Sequence, residues 1–351
     1  MKTKFFLAAL LLAATCFQTQ AHDFMVSQDG QVLYFNITDQ DKHTAEVTYK
    51  GNGKAESQSA LKGEVTIPSK VRHNDTIYTV TGIGDRAFIG AGQLTGVIIP
   101  SGVKAIGDFA FERCTSLSKI VFPANQVKFG NEVFINCSSI SDISFGSDWK
   151  EVDLKLFSSS TQLKSLFIPV FMERIQNMKS LKSLCGITVD ANNTRFSSVD
   201  GLLYSKDGKT LYGCPLSRKG AVGIAEGVET VNPGSLMDCS ELTSVTLPSS
   251  LKRLSFREFS QNAQLREITF RSAIPVMTAT SAGKEYFLLQ VASPKVIVNV
   301  PKASLAAYKS VLCLTEGEYT LVGAKTETSY QVKSSELLPA KNLKGVKNLD
   351  K

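Results

Sequence analysis

Side chains that could perform catalysis are scarce in this sequence of 351 residues. It contains three histidines, His22, His43 and His73. Ser-His-Asp and Cys-His mechanisms need an imidazole beside the nucleophile, and many zinc sites use imidazole ligands. No C-x-x-C, H-E-x-x-H or G-x-S-x-G motif is present. We therefore predict that the protein is not an enzyme and holds no metal and no cofactor.

The acidic residues recur along the chain but form no recognisable catalytic pair. Asp85, Asp108, Glu112 and Asp142 fall at positions that the sequence pattern predicts to be solvated. A charged outer face explains them without any chemistry. Because function must be argued from a site, these carboxylates do not change the prediction of a non-catalytic protein.

Six cysteines follow the first 21 residues, and an even number permits disulfides if the protein is exported. They are Cys114, Cys137, Cys185, Cys214, Cys239 and Cys313. Cys114, Cys137 and Cys239 share one position of an internal repeat, where a free thiol can act as a small buried apolar group. Adjacent coils about 4.8 Å apart would also permit a bond between Cys114 and Cys137, so both states stay open.

That internal repeat sets the architecture. The segment IIPSGVKAIGDFAFERCTSLSK, which begins at Ile98, is followed directly by IVFPANQVKFGNEVFINCSSISD. Pro100 aligns with Pro123, and Cys114 with Cys137, at a period of 23 residues. A regular repeat of this length is typical of solenoids, in which each unit packs against its neighbours.

Each repeat combines a short strand with a return segment. Alternating apolar positions rich in β-branched residues, as in 117–123 and 163–169, predict a strand that ends at proline. The return segment adds a second apolar set, such as Val103, Ile106 and Phe111. One unit of this size cannot bury its own apolar face. The pattern therefore predicts a repeat solenoid with short parallel β-strands stacked on one face.

The pattern I-P-x-x-V-x-x-I-G-x-x-A-F-x-x-C-x-x-L in residues 99–117 is more specific than a generic repeat. Together with the segments 187–212 and 300–309, it resembles the BspA-like leucine-rich repeat family of bacterial surface proteins. The resemblance covers residues 63–322. It implies a curved solenoid of the leucine-rich-repeat type and a role in adhesion and in binding host extracellular proteins.

Residues 1–21 are predicted to be a secretory signal peptide. Lys2 and Lys4 precede an apolar run, and small residues lead to a cleavage site after Ala21. A lipoprotein anchored at Cys16 is the alternative, although the residues before this cysteine match the lipidation motif poorly. We expect an extracellular or outer cell-surface location, with the periplasm as a second option. No later segment has the length and apolarity of a transmembrane segment.

The rest of the chain divides into four predicted parts. Residues 22–62 form a β-rich N-terminal cap that covers the first coil, and residues 63–322 form the leucine-rich repeat solenoid. The solenoid includes a hairpin insertion at 197–213, indicated by the Asp-Gly turn at 207–208, and a C-terminal cap at 296–322. Residues 323–351 form a basic, flexible tail.

The positive charge of the chain argues against a nucleic-acid partner. Loss of Lys2 and Lys4 with the signal peptide lowers the formal net charge from +7 to +5. Four of the remaining lysines lie in the tail, at Lys341, Lys344, Lys347 and Lys351. The excess is therefore concentrated in a tail and does not line a groove, and export removes the protein from most nucleic acid.

The outward side chains of the strands form the predicted partner-binding face. It comprises Ile98, Lys119, Val121, Asp142, Ser144, Ser165, Phe167, Thr188, Thr246, Glu267 and Thr269. Stacking of the coils would place these residues in a ladder, and solenoids commonly bind extended partners on such a face. A protein ligand, from the extracellular matrix or a cell surface, is favoured over a glycan because Phe167 is the one aromatic residue in the set.

Two functions fit this face. The first is an exported, surface-associated, non-catalytic recognition or adhesion protein that binds a host or neighbouring-cell protein. The alternative is a structural component of the cell envelope or of an assembly, which would use the same face to contact a partner subunit.

Overall fold

The computed structural model describes residues 22–50, 60–255, 257–276, 279–281, 284–289, 295–314, 318–323, 338–339 and 347–348. The predicted signal peptide, with Cys16, lies outside the described residues, as does most of the predicted tail. Short β-strands dominate the described chain, whose single α-helix, α1, spans Leu305–Val311. Its 3-10 helices span Leu154–Phe157, Met178–Ser180 and Lys302–Ser304.

Three antiparallel strands begin the described chain. They are β1 (Phe24–Gln28), β2 (Gln31–Asp39) and β3 (Thr44–Thr48). Asp29 and Gly30 join β1 to β2 with positive φ angles of 51° and 75°, as a tight hairpin requires. β3 then pairs in parallel with the strand Thr76–Ile83 of the first coil. This pairing covers the backbone edge that the first coil would otherwise expose.

The coils that follow carry two short strands each, one in each arm. These strands are β4 (Lys62–Thr66), β5 (Lys70–His73), β6 (Thr76–Ile83), β7 (Gln93–Ile98), β8 (Ala105–Ile106), β9 (Lys119–Val121), β10 (Lys128–Phe129), β11 (Asp142–Ser144), β12 (Glu151–Asp153), β13 (Ser165–Ile168), β14 (Arg174–Gln176) and β15 (Gly186–Val189). β4, β7, β9 and β11 form one parallel sheet, and β3, β6, β8 and β10 stack in a second sheet. The predicted repeat solenoid is confirmed, and the return arms add a second line of strands that the sequence pattern had not revealed.

Bends of the backbone recur with the same 23-residue spacing. Arg86, Phe109 and Glu132 have φ angles of 56°, 56° and 50°, which non-glycine residues rarely adopt. The N–H of Arg86 donates to the carbonyl of Asp108 at 2.9 Å, and that of Phe109 to the carbonyl of Asn131 at 3.0 Å. At Arg86 and Phe109, hydrogen bonds from coil to coil thus hold the backbone in a conformation that it would otherwise avoid.

The core is a stack of repeated side chains. The rings of Phe88, Phe111, Phe134 and Phe157 are fully buried, and their successive centroids lie 4.8, 5.2 and 5.3 Å apart. Each ring occupies the same position in its coil, so neighbouring coils bury one another's apolar side chains. This is the arrangement that a unit too small to bury its own face requires.

The cysteines at the repeat position are free thiols within this core. Cys114 Sγ donates to the carbonyl of Phe88 at 3.1 Å, and Cys137 Sγ donates to the carbonyl of Phe111 at 2.9 Å. The neighbouring thiol of Cys137 and burial together raise the pKa of Cys114, which keeps the thiol protonated. Among the described residues, Cys114, Cys137, Cys185, Cys214 and Cys239 are all unbridged. They act as structural thiols in this fold.

An antiparallel insertion follows β15. It consists of β16 (Phe196–Val199), β17 (Leu202–Ser205) and β18 (Thr210–Gly213). β18 pairs in parallel with β20 (Thr230–Val231), so the insertion continues the second sheet toward the C-terminal coils. The strands begin one residue before the insertion predicted at 197–213, because Phe196 is itself buried and paired.

The C-terminal coils restore the first sheet. They contain β19 (Gly220–Gly223), β21 (Leu242–Leu247), β22 (Glu267–Phe270), β23 (Ala279–Ser281), β24 (Lys284–Leu289), β25 (Lys295–Val300), β26 (Leu312–Leu314), β27 (Glu318–Gly323), β28 (Leu338–Pro339) and β29 (Lys347–Asn348). β19, β21, β22, β25 and β27 form a parallel sheet of five strands. The pairs of β19 with β21 and of β21 with β22 keep the 23-residue offset.

Both sheets are interrupted at one coil, residues 145–160. β11 does not pair with β13, and β10 does not pair with β12. Gly146 occupies the position of Pro123, and a Cβ atom there would lie 1.8 Å from the carbonyl oxygen of Pro123. The buried indole of Trp149 donates instead to the carbonyls of Pro123 and Asn125, at 3.1 and 2.9 Å. A side chain therefore replaces backbone pairing where the repeat becomes irregular.

Candidate functional site

The predicted partner-binding face lies in three groups along the solenoid. In the first group, Ile98, Val121 and Ser144 are direct neighbours on β7, β9 and β11. Lys119 and Asp142 are also register partners and flank this row. All five side chains are half-buried or exposed, as outward positions of a strand should be.

The second group lies on β13 and β15. Phe167 and Thr188 are register partners, and Ser165 lies two residues before Phe167 on the same face. The side chain of Phe167 is 50% exposed although both of its chain neighbours, Leu166 and Ile168, are buried. Strict alternation along β13 produces this contrast.

The third group lies beyond the insertion. Thr246 and Thr269 are register partners on β21 and β22, and Glu267 lies two residues before Thr269. Two interruptions separate the three groups, one between β11 and β13 and the other between β15 and β19. The structure therefore brings the predicted residues together within each group and does not join them into one uninterrupted ladder.

Val199 belongs beside the second group and was not identified from the sequence. The N–H of Ile187 donates to the carbonyl of Gly201 at 2.9 Å, and the N–H of Val189 donates to Ser198 Oγ at 3.0 Å. These bonds place the end of β16 next to β15, where the Val199 side chain is 52% exposed. The sequence pattern assigned Val199 to the insertion, and only the hydrogen bonds reveal that it lies beside the face.

Lys119 on this face is not a free charge. Its Nζ lies 3.0 Å from Glu64 Oε2, and both side chains are partly exposed. Glu64 on β4 and Lys119 on β9 flank Gly96 in the register of the sheet, so the pair spans a position that has no side chain. Glu64 could not be predicted from the repeat because it lies outside the regular 23-residue spacing.

The third group forms hydrogen bonds with the neighbouring strand β25. Asn299 on β25 is the register partner of Thr269, and its Nδ2 donates to Thr269 Oγ1 at 3.2 Å and to Glu267 Oε1. Ile297, the register partner of Glu267, is 44% exposed. Hydrogen bonds thus link the polar side chains around Thr269, and the exposed Ile297 lies beside them.

The acidic residues of the return arms are structural. Asp85 Oδ1 accepts from the N–H of Asp108 at 2.8 Å, and Asp108 Oδ1 accepts from the N–H of Asn131 at 2.7 Å. Asp108 and Glu112 are half-buried, whereas Asp85 and Asp142 are exposed. The repeated aspartates therefore link neighbouring coils and do more than form the charged outer face that the sequence pattern indicated.

The remaining candidates for chemistry are dispersed. The ring of His73 stacks on Phe24 at 4.6 Å, and that of His43 meets Tyr78 edge-on at 5.9 Å, so these two histidines belong to the aromatic packing of the cap. Within the described part of the chain, no three His, Cys, Asp or Glu side chains converge in a way that could hold a metal ion. No helix among the described residues has the length and apolarity to cross a membrane.

Comparison with solved structures finds matches at low sequence identity. Pneumococcal vaccine antigen PcpA is 18% identical over 87% of this chain and 100% of its own, with a TM-score of 0.45. A leucine-rich cell surface protein from Faecalibacterium prausnitzii A2-165 is 19% identical over 86% of this chain and 96% of its own, with a TM-score of 0.40. A leucine-rich repeat protein from Bacteroides ovatus ATCC 8483 is 18% identical over 86% and 91%, with a TM-score of 0.32. No curated protein matches the chain.

The family assignment rests on the repeat itself. The model of the BspA type leucine rich repeat region matches six copies, in residues 65–198 and 209–293. The matched residues amount to more than half of the chain and include the coils that carry the buried phenylalanines and thiols. The chain therefore belongs to the BspA type leucine rich repeat family.

Proposed function

We propose that this protein is an exported, surface-associated recognition or adhesion protein that binds a host or neighbouring-cell protein through the strand face, without catalysis. Proteins of the BspA type are typically surface proteins, and leucine-rich repeat domains generally mediate protein interactions. A stack of short parallel strands offers a repeated outward surface on which an extended partner can lie.

The exposure of Phe167 is the observation that carries the proposal. An aromatic side chain that is half exposed between two buried neighbours contributes little to folding. Aromatic residues are enriched at the centres of protein interfaces, where one ring can supply much of the binding energy. Val199 adds a second exposed apolar side chain on the far side of β15.

A protein partner fits this face better than a glycan. Glycan platforms usually stack sugars on several rings, whereas the other predicted outward residues here are aliphatic, hydroxylated or charged. The face offers apolar side chains, namely Ile98, Val121 and Phe167, together with a polar group around Thr269, and protein interfaces combine both kinds of contact.

The test uses two exposed phenylalanines that differ in position. Phe167 lies on the strand face, whereas Phe171, 55% exposed, lies in the turn after β13. The mature chain would first be used to capture partners from extracellular-matrix and envelope proteins. Phe167→Ser should leave the melting temperature nearly unchanged and weaken the captured complex by about 2 kcal/mol or more, whereas Phe171→Ser should leave affinity unchanged.

Two outcomes would redirect the proposal. Unchanged affinity in Phe167→Ser would remove the strand face from the function. Capture of an envelope protein of the producing cell, with the same loss in Phe167→Ser, would favour the structural role in which this face contacts a partner subunit.

A further inference from the structure

The interrupted coil leaves strand edges unpaired in the second sheet. In the regular coils, the carbonyl of Ile106 accepts from the N–H of Gly130 at 2.8 Å, and the N–H of Phe109 donates to the carbonyl of Asn131. One repeat later the equivalent groups are the carbonyl of Phe129 and the N–H of Glu132. Neither has a hydrogen-bond partner within the described chain.

The orientation of β10 directs these groups toward β12. Alternate residues of a parallel strand send both backbone groups to the same neighbour, and Lys128 bonds to the preceding coil. The N–H and C=O of Phe129 therefore point away from β8 and toward β12. β12 in turn pairs only with β14, on its other side, in the described sheets. The two strands face each other without a ladder.

One side chain already imitates a strand in this gap. Gln126 Nε2 donates to the carbonyl of Glu151 at 3.1 Å, while Gln126 Oε1 accepts from the N–H of Lys150 at 3.1 Å. The N–H and C=O of one residue of an inserted β-strand point to the same neighbour and would make comparable contacts with β12. The Gln126 amide fills one end of the gap, and the backbone groups of Phe129 lie beyond it.

The gap widens into a groove that could hold an extended peptide. Its volume is about 1200 Å³, and it runs along both coils from Gln126 to Ser159. Half-buried apolar side chains line it, namely Phe109, Phe129, Ile135 and Leu156. These rings and aliphatic groups provide a place for the inward side chains of a strand, whose residues alternate in direction.

The charged residues of the walls are unevenly distributed along the groove, which is lined by three carboxylates and two ammonium groups. Near Gln126 the exposed Lys128 has no ion-pair partner among the described residues, whereas Glu151 lies 3.7 Å from Arg174. At the other end, two carboxylates, of Glu132 and Asp153, outnumber the ammonium group of Lys155. Charge complementarity thus favours an occupant with an acidic residue near Lys128 and a basic residue near Glu132.

From these observations we infer that the groove between β10 and β12 binds an extended peptide segment of a partner protein as an added β-strand. The backbone of the segment pairs with the free edge at Phe129, its inward side chains lie on the apolar residues, and its charged ends match Lys128 and Glu132. This site belongs to the second sheet and goes beyond the proposed function of the strand face.

The test uses a synthetic peptide as its probe. A fluorescein-labelled peptide of sequence TDVTVTK has β-branched residues between one acidic and one basic end. Its matched control has the same side chains with alternate amide nitrogens methylated. We expect micromolar binding of the first peptide in fluorescence anisotropy and binding at least about tenfold weaker for the control, because two or more backbone donors are lost. Amide exchange of Phe129 and Glu132 should slow when the first peptide binds.

Charge reversal at Lys128 tests the orientation of the bound peptide in the groove. Lys128→Glu should weaken binding of TDVTVTK and strengthen binding of TKVTVTD, with an unchanged melting temperature because Lys128 is exposed. The Phe167→Ser variant should bind TDVTVTK with the affinity of the wild type. Failure of the peptide test can therefore be distinguished from failure of the proposed function of the strand face. Equal affinity of the methylated control, or no binding of TDVTVTK at about 1 mM, would overturn the inference.

Discussion

The coils between Val103 and Cys137 and the coil at 145–160 bury similar cores and connect to their neighbours differently. In the regular coils, N–H groups of Phe109, Phe111 and Arg113 donate to carbonyls of the next coil at 3.0 Å each. Between the bond from the Asp148 N–H to the Ala124 carbonyl and the bond from the Thr161 N–H to the Ser138 carbonyl, no backbone–backbone hydrogen bond joins the described residues of the interrupted coil to the coil before it. Yet the ring stack passes through this region without a gap.

The difference shows which parts of a repeat are essential. The stacked rings set the spacing of the coils, because the ring of Phe157 lies on Phe134 at 5.3 Å even where both sheets are broken. The backbone ladder can be replaced locally by side chains such as Gln126 and Trp149. Loss of the ladder frees backbone groups, and an unpaired strand edge is a natural place to bind another chain.

Removal of one ring from the stack should have the largest effect on stability. Phe111 is fully buried between Phe88 and Phe134. Phe111→Ala should lower the free energy of unfolding by about 3 to 5 kcal/mol, because it removes apolar contacts and leaves a cavity. Urea denaturation monitored by circular dichroism would measure the change. A loss below about 0.5 kcal/mol would show that the stack does not hold the coils together.

Loss of the indole N–H should have an intermediate effect on the interrupted coil. Trp149→Phe retains a ring in contact with Phe122 and Phe145 and removes the donor to the buried carbonyl of Pro123 and the partly buried carbonyl of Asn125. We expect a loss of about 1 to 3 kcal/mol in the free energy of unfolding. Trp149→Leu serves as a companion that also removes ring contacts and should lose more. An unchanged free energy of unfolding in Trp149→Phe would mean that the hydrogen bonds from the indole to these carbonyls do not stabilise the fold.

Loss of a carboxylate link between regular coils should have a smaller effect. Asp108→Ala removes the acceptor for the backbone N–H and the side-chain amide of Asn131. Because Asp108 is only half-buried, we expect a loss of about 1 kcal/mol in the same denaturation experiment. Asp108→Asn retains an oxygen acceptor and should lose less. An equal loss in both variants would indicate that the charge, and not the hydrogen bond, links the coils.

The regular coils could be predicted from the sequence because their signals repeat. Period-two alternation placed Phe167 outside and Leu166 inside, and the shared position of Cys114 and Cys137 placed both thiols in the core. The offset of 23 residues in the pairing of β9 with β11 follows directly from the period. Each of these inferences needs only a local pattern that several units share.

The interrupted coil could not be predicted because its contacts occur once. Trp149 is the single tryptophan of the chain, so no other unit shows what its side chain does. The strand Ala105–Ile106 is too short to produce an alternating pattern. The contact of Lys119 with Glu64 depends on a register in which Glu64 lies 32 residues from Gly96, which breaks the period. Only the folded chain reveals such contacts.

Backbone amide exchange tests the central comparison most directly. Phe109 and Glu132 occupy the same position in successive coils, but only the N–H of Phe109 has a hydrogen-bond partner in the described structure. Exchange followed by NMR should therefore be slower by about a hundredfold or more at Ile106 and Phe109 than at Phe129 and Glu132, since exchange of a bonded amide requires local opening. Equal protection from exchange at Ile106 and Phe109 and at Phe129 and Glu132 would contradict the conclusion that the backbone ladder ends at the interrupted coil.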